Sequence, residues 1–138
     1  MNRLTDQFDL TTMTHSDTAV RFGITEQNSP SPDVIANLER LYQNVLLPLV
    51  KLLPGTLNVT CAYRCHKVNA KVGGKPASQH TKGEAADIEY YEGAKENNSI
   101  LVDTILVNKI PFDQLITERG WIHVSYREGN NRHQFLKL

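Results

Sequence analysis

Ser78 to Asp87 reads S-Q-H-T-K-G-E-A-A-D. A loop carrying His80 runs into Gly83, which permits a tight turn, and a strand follows from Glu84 to Tyr90. On a strand, successive side chains alternate between faces. Ala86, Ile88 and Tyr90 therefore form an apolar set that faces a core. Asp87 shares the other face with Ala85 and Glu89. A histidine at the end of a loop and a carboxylate on the open face of the next strand can meet over that sheet.

A second stretch supplies a partner. Trp121 to Tyr126 reads W-I-H-V-S-Y, with Ile122, Val124 and Tyr126 on one face and Trp121, His123 and Ser125 on the other. Phe112 to Thr117 precedes it, and Arg119-Gly120 between the two reads as the loop of a hairpin. With a two-residue loop, Glu118 lies opposite Trp121, Ile116 opposite His123 and Gln114 opposite Ser125. Directly opposite residues share a face, which puts Glu118 diagonally about 7 Å from His123. Asp113 falls on the other face in this register. Two imidazoles and a carboxylate, with a position left for water, form a catalytic zinc set. By spacing alone His80, Asp87 and His123 are a candidate ligand set, beside the plainer readings of a structural histidine on a strand and a solvated surface aspartate; Glu118 stands at the distance of a base rather than a ligand. His15, His66 and His133 lack a comparable setting and read as ordinary side chains.

Working outward, Ser31 caps a helix, Pro32 fits its first position and Asp33 complements its dipole. Val34, Leu38, Leu41, Tyr42, Val45, Leu49 and Leu52 recur at helical spacing, which makes this the main core helix. Pro48 is expected to kink or shorten it, and Pro54-Gly55 ends it. Leu57 to Ala62 reads as a strand, and His66 to Val72 as a short helix closed by Gly73-Gly74. Ile100 to Val107 reads as a further helix, with Leu101, Ile105 and Leu106 expected in the core. The first thirty residues are polar and irregular, with a short helix expected around Ser16 to Phe22. The tail from Asn130 has too little pattern to assign. Strands and helices do not alternate regularly, so the expected class is α+β with a small antiparallel sheet and flanking helices.

Composition sets the outer bounds. The 138 residues suffice for a single domain, expected to span 1–138 with residues 1–30 packed upon it. Fifteen basic and fifteen acidic side chains cancel, and a protein that neutralises many phosphates needs a basic excess, so no nucleic acid is expected as partner. No apolar run reaches membrane-span length. The start, MNRLTDQFDL, shows no apolar stretch after its Arg, so synthesis in the cytoplasm without a signal peptide is expected. Cys61 and Cys65 would lie roughly 13 Å apart on an extended segment, too far for a disulfide unless the chain turns. They read as reduced thiols.

The series A-Y-R (Ala62 to Arg64), V-N-A-K-V-G-G, S-Q-H-T-K-G-E-A-A-D-I and W-I-H-V-S-Y resembles the zinc D-Ala-D-Ala carboxypeptidase and L-alanyl-D-glutamate endopeptidase family, in particular its small phage-endolysin-type domains. The resemblance spans nearly the whole chain. It implies the fold shared with hedgehog signalling domains, one Zn²⁺ per chain on His80, Asp87 and His123, and Arg64 as the group that steadies the oxyanion. It implies hydrolysis of a peptide bond in the peptidoglycan stem, by a monomer that acts on the cell wall after release. Ser78, Gln79 and Trp121 are the expected substrate contacts; Lys75 and Lys82, flanking the His80 loop, read as solvated side chains or as groups that attract carboxylates of the stem peptide. One departure is clear: many relatives carry the catalytic acid three residues before the last His, where this chain has Gly120. Glu118 is the expected replacement. The alternative is a zinc-stabilised peptidoglycan-binding or structural module without catalysis.

Overall fold

The computed structural model describes residues 2–138. Its longest helical run starts as the sequence dictates. Ser31 accepts from the Val34 amide, Pro32 occupies the first turn, and α3 runs Pro32–Leu41. Tyr42–Leu46 then widens into a π-helical turn before α4, Leu47–Leu52. The widening answers Pro48. Proline has no N–H to give to the carbonyl four residues back, and a π turn moves the ladder to an i→i−5 pattern, as in the Leu47 N–H to Tyr42 carbonyl bond. The helical run passes over the proline instead of breaking. Leu38, Leu41, Tyr42, Val45, Leu46 and Leu49 are buried by this run, while Leu52, at its end, is half exposed.

The strands are β1 Thr56–Cys61, β2 Ala85–Glu92, β3 Lys95–Glu96, β4 Gln114–Thr117, β5 Ile122–Ser125 and β6 Gln134–Lys137. They form one sheet in the order β1-β2-β5-β4-β6, with β3 paired to β2. Every pairing is antiparallel except β4 with β6, which is parallel. That parallel return is the one feature of the sheet that the weak pattern of the tail did not announce. One face of the sheet packs on the helices, and Ala86, Ile88 and Tyr90 of β2 are completely buried there.

The remaining helices are α1 Leu10–Thr14, α2 Asp17–Phe22, α5 His66–Lys71 and α6 Ser99–Val107. In α6, Leu101 and Ile105 are buried as expected, but the third core residue is Val102 and Leu106 is 44% exposed. At 100° per residue Leu106 lies well round the helix from the stripe centred on Leu101, Val102 and Ile105, so it falls on the flank. The N-terminal segment is tied down. Leu4 donates to the Leu57 carbonyl, Val59 donates to the Asn2 carbonyl, and Leu4, Met13 and Ala19 join the core. No helix among the described residues is long and apolar enough to cross a membrane.

Candidate metal centre

The site begins as a row across the open face of the sheet. Asp87 in β2 pairs with Cys61 in β1 on one side and with His123 in β5 on the other, and His123 in turn pairs with Ile116 in β4. Cross-strand partners share a face, so the four side chains lie side by side. The hairpin has the register read from the sequence: Ile116 opposes His123, and Glu118 donates to the Trp121 carbonyl to close the two-residue loop. Gly120 takes φ +96 there, a left-handed conformation that a side chain would strain.

His80 reaches the row from above. It sits in a 3₁₀ turn, Gln79–Lys82, whose N-cap Ser78 accepts from the His80 amide. Gly83 ends the turn at φ +76, and a Cβ on it would come within 2.7 Å of the Val34 carbonyl of α3. The glycine of this motif is thus fixed twice, by its backbone angle and by the close passage of the loop over α3. Asn37 of α3 donates to the Lys82 carbonyl and holds the loop to the helix. Arg64 donates its amide to the His80 carbonyl and its guanidinium to Ser78 Oγ at 3.3 Å. Its Nε is buried with no hydrogen-bond partner.

The proton arrangement at His80 is informative. Nδ1 lies 2.6 Å from the Ala62 carbonyl oxygen, which can only accept, so Nδ1 carries the hydrogen. In the neutral ring Nε2 is then a bare lone pair, and it faces Asp87 Oδ1 at 3.4 Å. Two acceptors pointed at each other call for a cation between them. The same Oδ1 lies 3.0 Å from His123 Nδ1. Ligands about 2.0–2.1 Å from a tetrahedral zinc stand about 3.3 Å from each other, and the two spacings bracket that value. His80 is buried, and Asp87 and His123 are mostly so, with side-chain exposures of 17% and 16%. Burial pushes Asp87 up, but the neighbouring imidazoles, His123 before His80, outweigh it and bring it down to about 2. Its carboxylate is therefore ionised at neutral pH, as a ligand must be.

Among the described residues, the donors whose ligand atoms all lie within 4.8 Å of one another are Cys61, His80 and Asp87, a set without His123. The Cys61 Sγ, however, stands 3.9 Å from His80 Nδ1, the nitrogen committed to Ala62. Burial and the charge of Asp87 push its thiol up to about 12. Both cysteines are free. Cys61 was missed as a neighbour of the site because its place depends on the β1–β2 register, which the sequence did not specify.

These groups open into a cavity of about 470 Å³ lined in part by Arg64, Ser78, Gln79, Glu118, Trp121 and the three expected ligands. Every expected site residue is therefore brought to one cleft. Lys75 also lines it, whereas Lys82 does not. Ser78 both caps the turn and lines the cleft. Gln114 and Arg132 join the lining without having been expected as contacts. For Gln114 the alternation along β4 with Ile116 and Glu118 was a usable signal; for Arg132 there was none, since its position depends on the parallel return of the tail. His15, His66 and His133 lie outside the cleft lining.

The chain belongs to the peptidase M15 family, whose profile matches residues 6–125. It is a hydrolase of the peptidase class, and the match spans α3, the His80 loop and the β4–β5 hairpin. No curated protein matches the chain.

Proposed function

We propose that the chain is a zinc metallopeptidase that hydrolyses a peptide bond in the peptidoglycan stem, with His80 Nε2, Asp87 Oδ1 and His123 Nδ1 as the zinc ligands. The observation that carries the reading is Asp87 Oδ1 set between two imidazole nitrogens at 3.4 and 3.0 Å, in the floor of a cleft that also holds a carboxylate and a guanidinium. Zinc bound there supplies Lewis acidity, which ionises water near neutral pH and polarises a carbonyl.

The residues of the chain divide the remaining work. Arg64, with its unpartnered Nε and its backbone tied to His80, donates to the carbonyl oxygen as negative charge develops on it. Glu118 takes the proton of the attacking water and returns it to the leaving amine. It replaces the acid that relatives carry at the place of Gly120, where φ +96 suits the turn of the hairpin. His80 is held in one tautomer by Ala62, which keeps Nε2 available as a ligand. Trp121, partly exposed at the end of the hairpin, and the polar Ser78 and Gln79 form the walls that a peptide chain would touch.

Substituting Glu118→Ala separates chemistry from binding. The variant is expected to retain one zinc per chain and to lose hydrolysis of purified peptidoglycan by roughly 10²–10⁴-fold, the usual worth of a general base. Unchanged hydrolysis with zinc retained would remove Glu118 from the mechanism. The second reading, a zinc-stabilised binding module, is favoured by Gly120 alone. It predicts bound muropeptides and no new amine termini from the wild-type chain.

A further inference from the structure

Two cations of the cleft, Lys75 and Arg132, have no part in the hydrolysis so far described, and Arg132 is the one held by an ion pair. Arg132 donates its backbone N–H to Asp113 Oδ1 at 2.8 Å. Its Nε lies 3.1 and 3.2 Å from the two Asp113 oxygens, and its Nη2 lies 2.8 Å from Oδ2. The same Oδ2 accepts from Gln79 Nε2 at 3.1 Å. The pair is asymmetric, for Asp113 has no solvent exposure and the Arg132 side chain is 50% exposed. A guanidinium offers five donors in a rigid fork. Asp113 engages Nε and Nη2, which leaves Nη1 and an outer Nη2 hydrogen unpartnered among the described residues, on a residue that lines the same cavity as the metal ligands.

We propose that Arg132 is a specificity-determining residue that receives a free carboxylate of the substrate, so that the cleft prefers an acidic peptide over its neutral counterpart. The inference rests on the peptidase reading of this site. Buried Asp113 fixes the plane of the guanidinium in advance, and a pre-set planar fork matches a carboxylate through two parallel hydrogen bonds. Asp113 also holds Gln79, the residue before His80, so the carboxylate receptor and the metal-binding turn share one anchor. Lys75 and Arg64 line the cavity too, against Glu118 and Asp87, and Asp87 is already engaged with the two imidazoles. Along β4, Ile116 opposes His123, and Gln114, beside Asp113, is the next residue on that face. Two residues of strand cover about 6.8 Å. A substrate extended alongside β4 would present the carboxylate read by Arg132 about two residues from the scissile bond. A purely structural role, in which Arg132 only staples the tail to β4, predicts changed stability with unchanged substrate preference.

The test uses two synthetic peptides that differ only in a free carboxylate or its carboxamide at that position. Zinc-loaded wild type is expected to favour the carboxylate peptide by roughly tenfold or more through KM, as hydrogen bonds between charged groups allow. In Arg132→Gln the ratio is expected to fall to about one. In Arg132→Lys it is expected to fall several-fold, because one ammonium cannot grip Asp113 and a ligand in the same forked geometry; this variant decides if the glutamine form does not fold. Absence of a preference in wild type, or an unchanged ratio in either folded variant, overturns the assignment. If wild type cleaves neither peptide, the peptidase reading fails, and calorimetric binding of the same peptides to the same proteins decides the role of Arg132 by the same ratio.

Discussion

Asp113 shows how much one buried side chain can hold. Its carboxylate accepts from Arg132 and from Gln79. Burial pushes its pKa up from an ordinary value of 3.8, but the hydrogen bonds and charge of Arg132 outweigh that and leave it lowered. A lowered folded value means the contribution is fully present above 3.8 and drains away as the pH falls through the folded value. Asp113→Asn is expected to cost about 3 kcal/mol at pH 7. The gap in thermal midpoint between variant and wild type should close as the pH is lowered past 3.8; a gap independent of pH would show that charge is not its source. Asp113 stands outside the cleft lining, as the hairpin register implied, and its partner Arg132 was illegible because nothing in N-N-R-H-Q-F-L-K-L signals a parallel strand. His80, Asp87 and His123 were legible for the opposite reason. Each sits on a local pattern, a glycine-ended loop or an alternating strand, that fixes its face without knowledge of the rest of the chain.

At the scale of elements, the cleft depends on a residue from the N-terminal segment. Gln27 is fully buried and donates to the Thr14 and Tyr63 carbonyls at 2.9 and 2.8 Å, while its Oε1 accepts from the Cys65 amide at 2.8 Å. It therefore braces the backbone on both sides of Arg64. Gln27→Leu would leave three buried backbone groups unpaired, with an expected loss of about 3–5 kcal/mol. Urea melts measure it, and a variant as stable as wild type would show that water replaces the side chain. The core helix, the short α5 and the β4–β5 hairpin were readable because caps, glycines and apolar spacing agree in each of them. The π turn was not. Pro48 announced a disturbance, but whether a helix breaks, kinks or widens depends on packing on both sides, and here Val45, Leu46 and Leu49 are all buried. Leu106 misled for a related reason: its apolar character put it in the stripe, and its angle put it outside.

At the scale of the whole molecule, zinc is expected to act as a fastening between the His80 loop, β2 and β5. A ligand that binds only the folded chain stabilises it by about 2.7 kcal/mol at a hundredfold excess over Kd, which for a chain of this size raises the thermal midpoint by roughly 8 °C. His123→Ala is expected to abolish that shift, and Cys61→Ser to retain it. The reverse result would make Cys61 the third donor in place of His123. The dependence of peptide hydrolysis on that metal is measured by mass spectrometry of purified peptidoglycan after incubation with the zinc-loaded, chelated and zinc-restored protein. New amine termini at one stem-peptide bond are predicted with zinc, none after chelation, and their return on restoration. Peptidoglycan left intact by the zinc-loaded protein, or cleaved equally without the metal, would contradict it.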